Sequence, residues 1–319
     1  DDLLAPGALD VALAEWMDRF VDYAATKSGM SDALRSVVAS SNAELVADAR
    51  AASRTRSRTA GSAARPARSG TDPAMARFVL VHGAFHGAWC WEPLVAELSS
   101  AGHTVVTLDL PGSGDDTTPA AEVTLDAYAR RICDTLADQP EPVVLVGHSM
   151  GGVAVTQAAA QCPERIAKLV YVAAFLPGHG QSLVDLAQLP EGAGDMVQAN
   201  MVVEGEPPVA TMPAEAAREA FYALCSPEQV AWATERIRPQ PVVPFITPVS
   251  LDGSEATRPP RAYVISAQDR AIPTALQRRL VADNPDLDVV EIDTDHSAFL
   301  SRTSELAAAL DRLAGRAQS

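Results

Sequence analysis

The chain has 319 residues, 47% of them hydrophobic and 21% charged, which allows a substantial core in one large domain or two smaller ones and excludes a fibrous or collagen-like protein. The formal net charge of −16 is uneven: residues 1–76 are nearly balanced and residues 77–319 carry −15, so nucleic acid and anionic membrane are poor partners for the longer part. Cys90, Cys133, Cys162 and Cys225 lie far apart with no CxxC pair, which excludes a zinc knuckle or redox motif and suggests reduced thiols in a cytoplasmic protein.

The chain opens on Asp1-Asp2 rather than methionine, consistent with loss of an upstream segment. Residues 1–49 read as a short helical segment: Leu13, Trp16, Met17, Phe20 and Tyr23 recur at three- and four-residue spacing, and Ser31 caps a second helix through Val38. The stretch EWMDRFVDYAATKSGMSDALRSVVAS, residues 15–40, resembles the ligand-binding half of TetR-type transcriptional regulators, but no helix-turn-helix precedes it. It reads as a fused remnant, a dimerisation element of a homodimer, or sequence upstream of the enzyme proper. Residues 50–75 hold six arginines and no acid before Asp72, and almost no large apolar side chain. Such a composition builds no core and reads as a linker, in preference to a nucleic-acid contact.

Residues 76–319 alternate short Val/Ile/Leu-rich runs with helical patterns. RFVLVH (77–82), TVVTLDL (104–110), PVVLVG (142–147), KLVYVAAF (168–175), RAYVIS (261–266) and LDVVEID (287–293) suit strands buried on both faces. Helices are expected at about 89–101, 124–138, 151–162, 273–282 and 303–315. The predicted architecture is a mostly parallel α/β sheet with helices on both sides. No apolar run approaches the roughly 20 residues of a membrane span. Residues 177–246 break the alternation, with several prolines, no strong strand, and scattered Met196, Met201, Met212, Phe221, Tyr222, Trp232 and Phe245. A mostly helical lid beyond the strand ends fits this composition.

After PVVLVG comes GHSMGG and then a helical pattern. Gly147-x-Ser149-x-Gly151 in that context is a strained strand-to-helix turn, in which glycines avoid collisions with the neighbouring strand and helix and Ser149 is lifted above the sheet edge. A serine hydroxyl needs a base, and the base an orienting acid. His296, in the loop TDHSAF after the last strand, is the histidine downstream of the lid. Asp269, directly after RAYVIS, is preferred to Asp293 and Asp295, whose adjacency to His296 would not put a carboxylate behind its ring. His148 reads as packing directed away from the catalytic face, and His103 and His179 as incidental.

VHGAFHGAWCW, DLPGSG, GHSMGG, YVAAFLP, SAQDRAIP and DHSAF occur in this order across residues 77–316. They resemble the α/β-hydrolase superfamily, in particular the branch of plant methyl esterases, the salicylate-binding esterase and the hydroxynitrile lyases. The resemblance implies an α/β-hydrolase fold lacking the superfamily's first two strands, with a helical cap over about 177–246. It implies a carboxylesterase without metal or cofactor, the ester being its small-molecule partner; the net −6 of residues 177–246 and their Met and aromatic content suggest small to medium neutral esters. The lyases of that branch carry threonine where this chain has Gly83, and lysine where it has Ser297, so both positions point to ester cleavage.

In VHGAFHGAWCW, a helix carrying both His82 and His86 to a metal is excluded by the glycines, and a phosphate loop by the missing lysine. The remaining reading is a backbone site: the N–H groups of Ala84 and Met150 form the oxyanion hole, His82 and His86 fix the loop by hydrogen bonds, and Trp89 and Trp91 start the next helix. Gly83, Phe85, Phe175, Phe221 and Trp232 are the expected substrate-facing residues. Two other readings stand beside ester hydrolysis: carbon–carbon cleavage, as in a hydroxynitrile lyase, on the same triad, and a non-catalytic small-molecule sensor.

Overall fold

A computed structural model describes residues 75–251 and 258–315, which belong to one compact unit, Met75–Ser319. The helices expected before residue 49, the linker up to residue 74 and the regulator-like stretch 15–40 lie outside the described residues.

The chain runs β1 (Arg77–Val81), a 3-10 turn (Ala88–Trp91) continuing into α1 (Glu92–Ser100), β2 (Thr104–Leu108), α2 (Leu125–Ala137), β3 (Val143–His148), α3 (Gly151–Gln161) and β4 (Ile166–Val172). An insertion follows: α4 (Leu183–Ala187), α5 (Met196–Asn200), β5 (Val202–Glu204), β6 (Val209–Thr211), α6 (Ala214–Phe221), α7 (Pro227–Thr234), β7 (Gln240–Pro241) and α8 (Val243–Ile246). The alternation then resumes with β8 (Arg261–Ser266), α9 (Thr274–Ala282), β9 (Asp288–Ile292), α10 (Ala298–Ser301) and α11 (Thr303–Gly315).

All six expected strands form, and every pairing among them is parallel, in the order β2-β1-β3-β4-β8-β9. The central strands read as continuous apolar runs because helices cover both faces; every residue of β3 and of β8 is buried. The helices follow the expected logic. In α2, Thr124 accepts the Ala127 N–H at 3.0 Å as N-cap, and Leu125, Tyr128, Ala129, Ile132 and Leu136 form its buried stripe.

The chain moves outward from β1 to β2, then returns across β1 to β3 and continues the other way. Loops leaving the carboxyl ends of β1 and β3 therefore diverge and leave a crevice between them, where open α/β sheets bind ligands.

Some details differ from the sequence reading. The insertion is mainly helical but also holds a small antiparallel sheet, β5-β6-β7. Its strands are two or three residues long, too short for a periodic signal, and Pro241 is tolerated because β7 lies at an edge. The cysteines are not all reduced: Cys133 on α2 and Cys162 at the end of α3 form a disulfide, with Cα atoms 6.1 Å apart. Their 29-residue separation carried no signal, because the packing of α2 on α3 brings them together. His103 is not incidental either. It is buried, accepts the Ala76 N–H at 3.2 Å, meets Phe78 edge-on and lies 3.1 Å from Asp311 on α11. His179 accepts the Leu251 N–H at 3.1 Å.

Below the sheet, buried Lys168 on β4 pairs with Asp288 on β9 at 2.6 Å, reaching past β8. Removing one partner leaves a buried ammonium uncompensated. Asp288→Asn should cost about 2–3 kcal/mol in urea unfolding, less than the roughly 3–5 kcal/mol of fully buried pairs because Asp288 is 42% exposed. Adding Lys168→Met to that variant should recover most of the loss.

Candidate active site

Ser149 follows β3 with φ at 56°, a left-handed conformation rare for a residue with a side chain. The turn is held from several directions. The Ser149 N–H donates to Val172 O at 3.3 Å, and its carbonyl accepts from the N–H groups of Gly152 at 3.0 Å and Phe175 at 3.2 Å. Close packing explains the neighbouring glycines: a Cβ on Gly147 would lie 2.6 Å from a Val155 methyl carbon, and one on Gly151 2.6 Å from the His82 carbonyl oxygen. Helix α3 can thus start directly against the end of β1.

The loops after β8 and β9 supply the other side chains. His296 Nδ1–H donates to Asp269 Oδ2 at 2.8 Å, and both side chains are buried. Asp269 Oδ1 also accepts from the N–H groups of Ala271 at 2.8 Å and Ile272 at 3.0 Å, and Oδ2 accepts from Gln277 Nε2 at 2.8 Å. Its charge is thus spread over four donors, and the proton on Nδ1 places the imidazole lone pair on Nε2. Asp295, set aside on sequence grounds, does not contact the ring; it accepts from Leu224 N–H at 2.7 Å and Ser301 Oγ at 2.6 Å.

The loop after β1 presses on Ser149. A Cβ on Gly83 would lie 2.6 Å from Ser149 Cβ, so a threonine there does not fit this backbone. His82 Nδ1–H donates to Gly83 O at 2.8 Å while Nε2 accepts the Leu110 N–H at 3.1 Å. His86 Nδ1–H donates to Ala84 O at 2.7 Å, and Nε2 accepts from Tyr222 Oη at 2.8 Å. Both histidines fix the loop, as the sequence suggested. With the loop carbonyls held in this way, the N–H groups of Ala84 and Met150 donate to no acceptor among the described residues. They flank Ser149, Ala84 next to Gly83 and Met150 next to Ser149 itself.

His148 is packing, as expected, but it lies directly against the site. Its ring is 4.5 Å from that of His296, and its Nε2–H donates to the His296 carbonyl at 2.9 Å. Phe221 packs 5.6 Å from the His296 ring and 6.0 Å from Phe85, all three buried. Phe175 is buried, and its N–H donates to the Ser149 carbonyl at 3.2 Å. Trp232 stands apart, edge-on to Trp89 at 5.2 Å with the Arg236 guanidinium over its ring at 4.8 Å. Trp89 and Trp91 occupy the 3-10 turn that leads into α1.

Gln277, Gln240 and Tyr222 were not legible as functional positions. Gln277 sits among Leu276 and Leu280 on the buried face of α9; a polar residue on an apolar stripe was the available signal.

A serine on a strained elbow and a buried imidazole–carboxylate pair fit a serine hydrolase. The chain belongs to the alpha/beta hydrolase family, whose model matches residues 78–309. It is 36% identical over 256 residues to the pheophorbidase of Raphanus sativus, covering 76% of this chain and 95% of that one. With the putative chloroplastic methylesterase 14 of Arabidopsis thaliana it shares 34% identity over 241 residues, 72% of this chain and 69% of the other. The crystal structure of a pyrethroid hydrolase from Sphingobium faniae JZ-2 superposes with a TM-score of 0.69 at 26% identity, covering 76% and 98% of the two chains. The protein is a carboxylic-ester hydrolase. The expectation of a cytoplasmic protein is corrected by these relatives: the putative methylesterases 11, 12 and 13 of the same plant are chloroplastic too. Its premise also fails, since two of the thiols are joined. Among the described residues no helix is long and apolar enough to cross a membrane.

Burial lowers the pKa of His82, His86 and His148, that of His86 to about 3. With folded-state values depressed, their stabilisation is complete above the ordinary 6.5 and is lost as pH falls below it, because the unfolded chain takes up protons that the folded chain refuses. Asp195 acts in the opposite sense: burial raises it to about 6, adding stability as pH falls toward 4. Three histidines outweigh one carboxyl. Unfolding free energy from urea titrations should drop between pH 7 and pH 5.

Proposed function

We propose that Ser149 is the nucleophile, His296 the general base and Asp269 its orienting acid, with the Ala84 and Met150 N–H groups as the oxyanion hole. The observation that carries this reading is the buried 2.8 Å His296–Asp269 bond, formed by loops after two different strands, with the ring of His148, the residue before the positive-φ Ser149, 4.5 Å from that of His296. Ser149 Oγ attacks the ester carbonyl as His296 Nε2 takes its proton, and Asp269 stabilises the imidazolium. The tetrahedral oxyanion forms between the two N–H groups. On collapse, His296 returns the proton to the departing alcohol and leaves an acyl-serine, which water hydrolyses by the same route with release of the acid. Each oxyanion donor in such sites is worth roughly 2.7–4 kcal/mol.

The substrates are small to medium neutral esters. Phe85, Phe175, Phe221 and Met150 are buried around the nucleophile and base and favour an apolar acyl group, while the insertion, at a net −6, disfavours anions. The methylesterases among the relatives favour a small alcohol, so methyl esters lead the panel. Trp232, farther out, borders the entrance. A hydroxynitrile lyase reading lacks support, because the position of its threonine is Gly83, which has no room for a side chain.

Ser149→Ala should lower kcat/KM for p-nitrophenyl butyrate by roughly 10³-fold or more at an unchanged melting temperature. Retained turnover would overturn the assignment. Cyanide release from mandelonitrile should stay at background in the parent enzyme.

A further inference from the structure

The insertion does more than roof the site. Loop 83–86 carries the Ala84 donor, and three of its atoms are held by residues of the insertion. The Phe85 N–H donates to Gln240 Oε1 at 3.4 Å, and the Phe85 carbonyl accepts the Arg238 N–H at 2.9 Å. Phe85 itself is at φ 65°, a conformation that costs of order 1–3 kcal/mol unless its surroundings hold it. The third contact is the Tyr222 hydroxyl on His86 Nε2.

Each contact has a directional consequence. Because the Ala84 carbonyl can only accept, the His86 proton resides on Nδ1, and Nε2 is left to accept the Tyr222 O–H, which holds the ring from the insertion side. Gln240 grips the N–H end of the same Ala84–Phe85 peptide. That peptide is planar, so fixing its oxygen from one side and its N–H from the other sets its orientation and, through the shared Cα, constrains the adjoining Gly83–Ala84 unit, which carries the Ala84 N–H. Gln240 is in turn locked: its Nε2 donates to Tyr128 Oη at 3.0 Å and Pro241 O at 2.9 Å, and the residue is buried. The Tyr222 ring also packs on Phe221, which faces His296.

We infer that Tyr222 and Gln240, both from the insertion, are positioning residues for the oxyanion hole, so that the cap sets the aim of the Ala84 N–H and thereby the rate of the chemical step. This rests on the proposed role of Ala84. A cap that merely bordered the substrate would govern affinity; a cap that aims the donor governs stabilisation of the tetrahedral state. Interactions made only in the transition state are read in kcat, and uniform binding in KM.

The test compares the parent with Tyr222→Phe, Gln240→Ala and Ser149→Ala, using p-nitrophenyl butyrate for turnover and a phenylalkyl boronic acid as a mimic of the tetrahedral adduct. Tyr222→Phe removes one hydroxyl and keeps the ring, so it carries the test if Gln240→Ala does not fold. The expected result is a fall in kcat of roughly 10-fold or more, less than the 10²–10³-fold for deleting a donor outright, with KM within about 2-fold and boronate affinity falling in parallel with kcat. Parent-like kcat in Tyr222→Phe, a change confined to KM, or a lower kcat with unchanged boronate affinity would each overturn the inference. Turnover by Ser149→Ala would instead overturn the underlying assignment, which distinguishes the two failures.

Discussion

The left-handed backbone of Ser149 is the constraint on which the rest of the site depends. Such a conformation costs of order 1–3 kcal/mol in a residue with a Cβ, and it persists because Val172, Gly152 and Phe175 bond its N–H and carbonyl from β4, α3 and the loop beyond β4. Relaxing the turn would pull the start of α3 away from the end of β1, where Gly151 lies against the His82 carbonyl. The same contact brings the loop after β1 onto the serine. One strained residue therefore fixes both its own side chain and the place where the loop after β1 meets it.

The surroundings of that residue are assembled with little net charge. His82, His86 and His148 are buried and neutral, each serving as an oriented dipole: two hold loop carbonyls and the third holds the backbone of His296. Asp269 is a buried carboxylate whose oxygens accept from four donors, with no cationic side chain among them. Low polarity around the site strengthens each of these bonds and makes an unpaired group expensive. The insertion completes the arrangement by contacting the loops after β1, β8 and β9: through Tyr222 and Gln240, through the Met196 N–H to Arg270 O at 2.9 Å, and through Leu224 to Asp295.

Much of this was legible beforehand for definable reasons. Strands buried on both faces write themselves as unbroken apolar runs, so all six were visible, and the elbow is local: Gly147, Ser149 and Gly151 lie within five residues between a strand and a helix. His296 and Asp269 were legible by position, one loop after each of the last two strands. The short strands β5 to β7 were not, since two or three residues make no period. The 133–162 disulfide and the cap's hold on Phe85 join residues far apart in the chain, and nothing in their local sequence distinguishes them from ordinary solvent-facing or core-filling residues.

The sequence by itself determined the alternation of strands and helices, the place of the reactive serine and the absence of a side chain at Gly83, because each is a matter of short-range periodicity or local sterics. The tertiary structure decided which carboxylate stands behind His296, which thiols meet, and which residues of the insertion hold the donor loop. Those outcomes depend on how α2 packs on α3, on how separate loops converge at the carboxyl ends of β1, β3, β8 and β9, and on hydrogen bonds that exist only once burial has removed water as the competing partner.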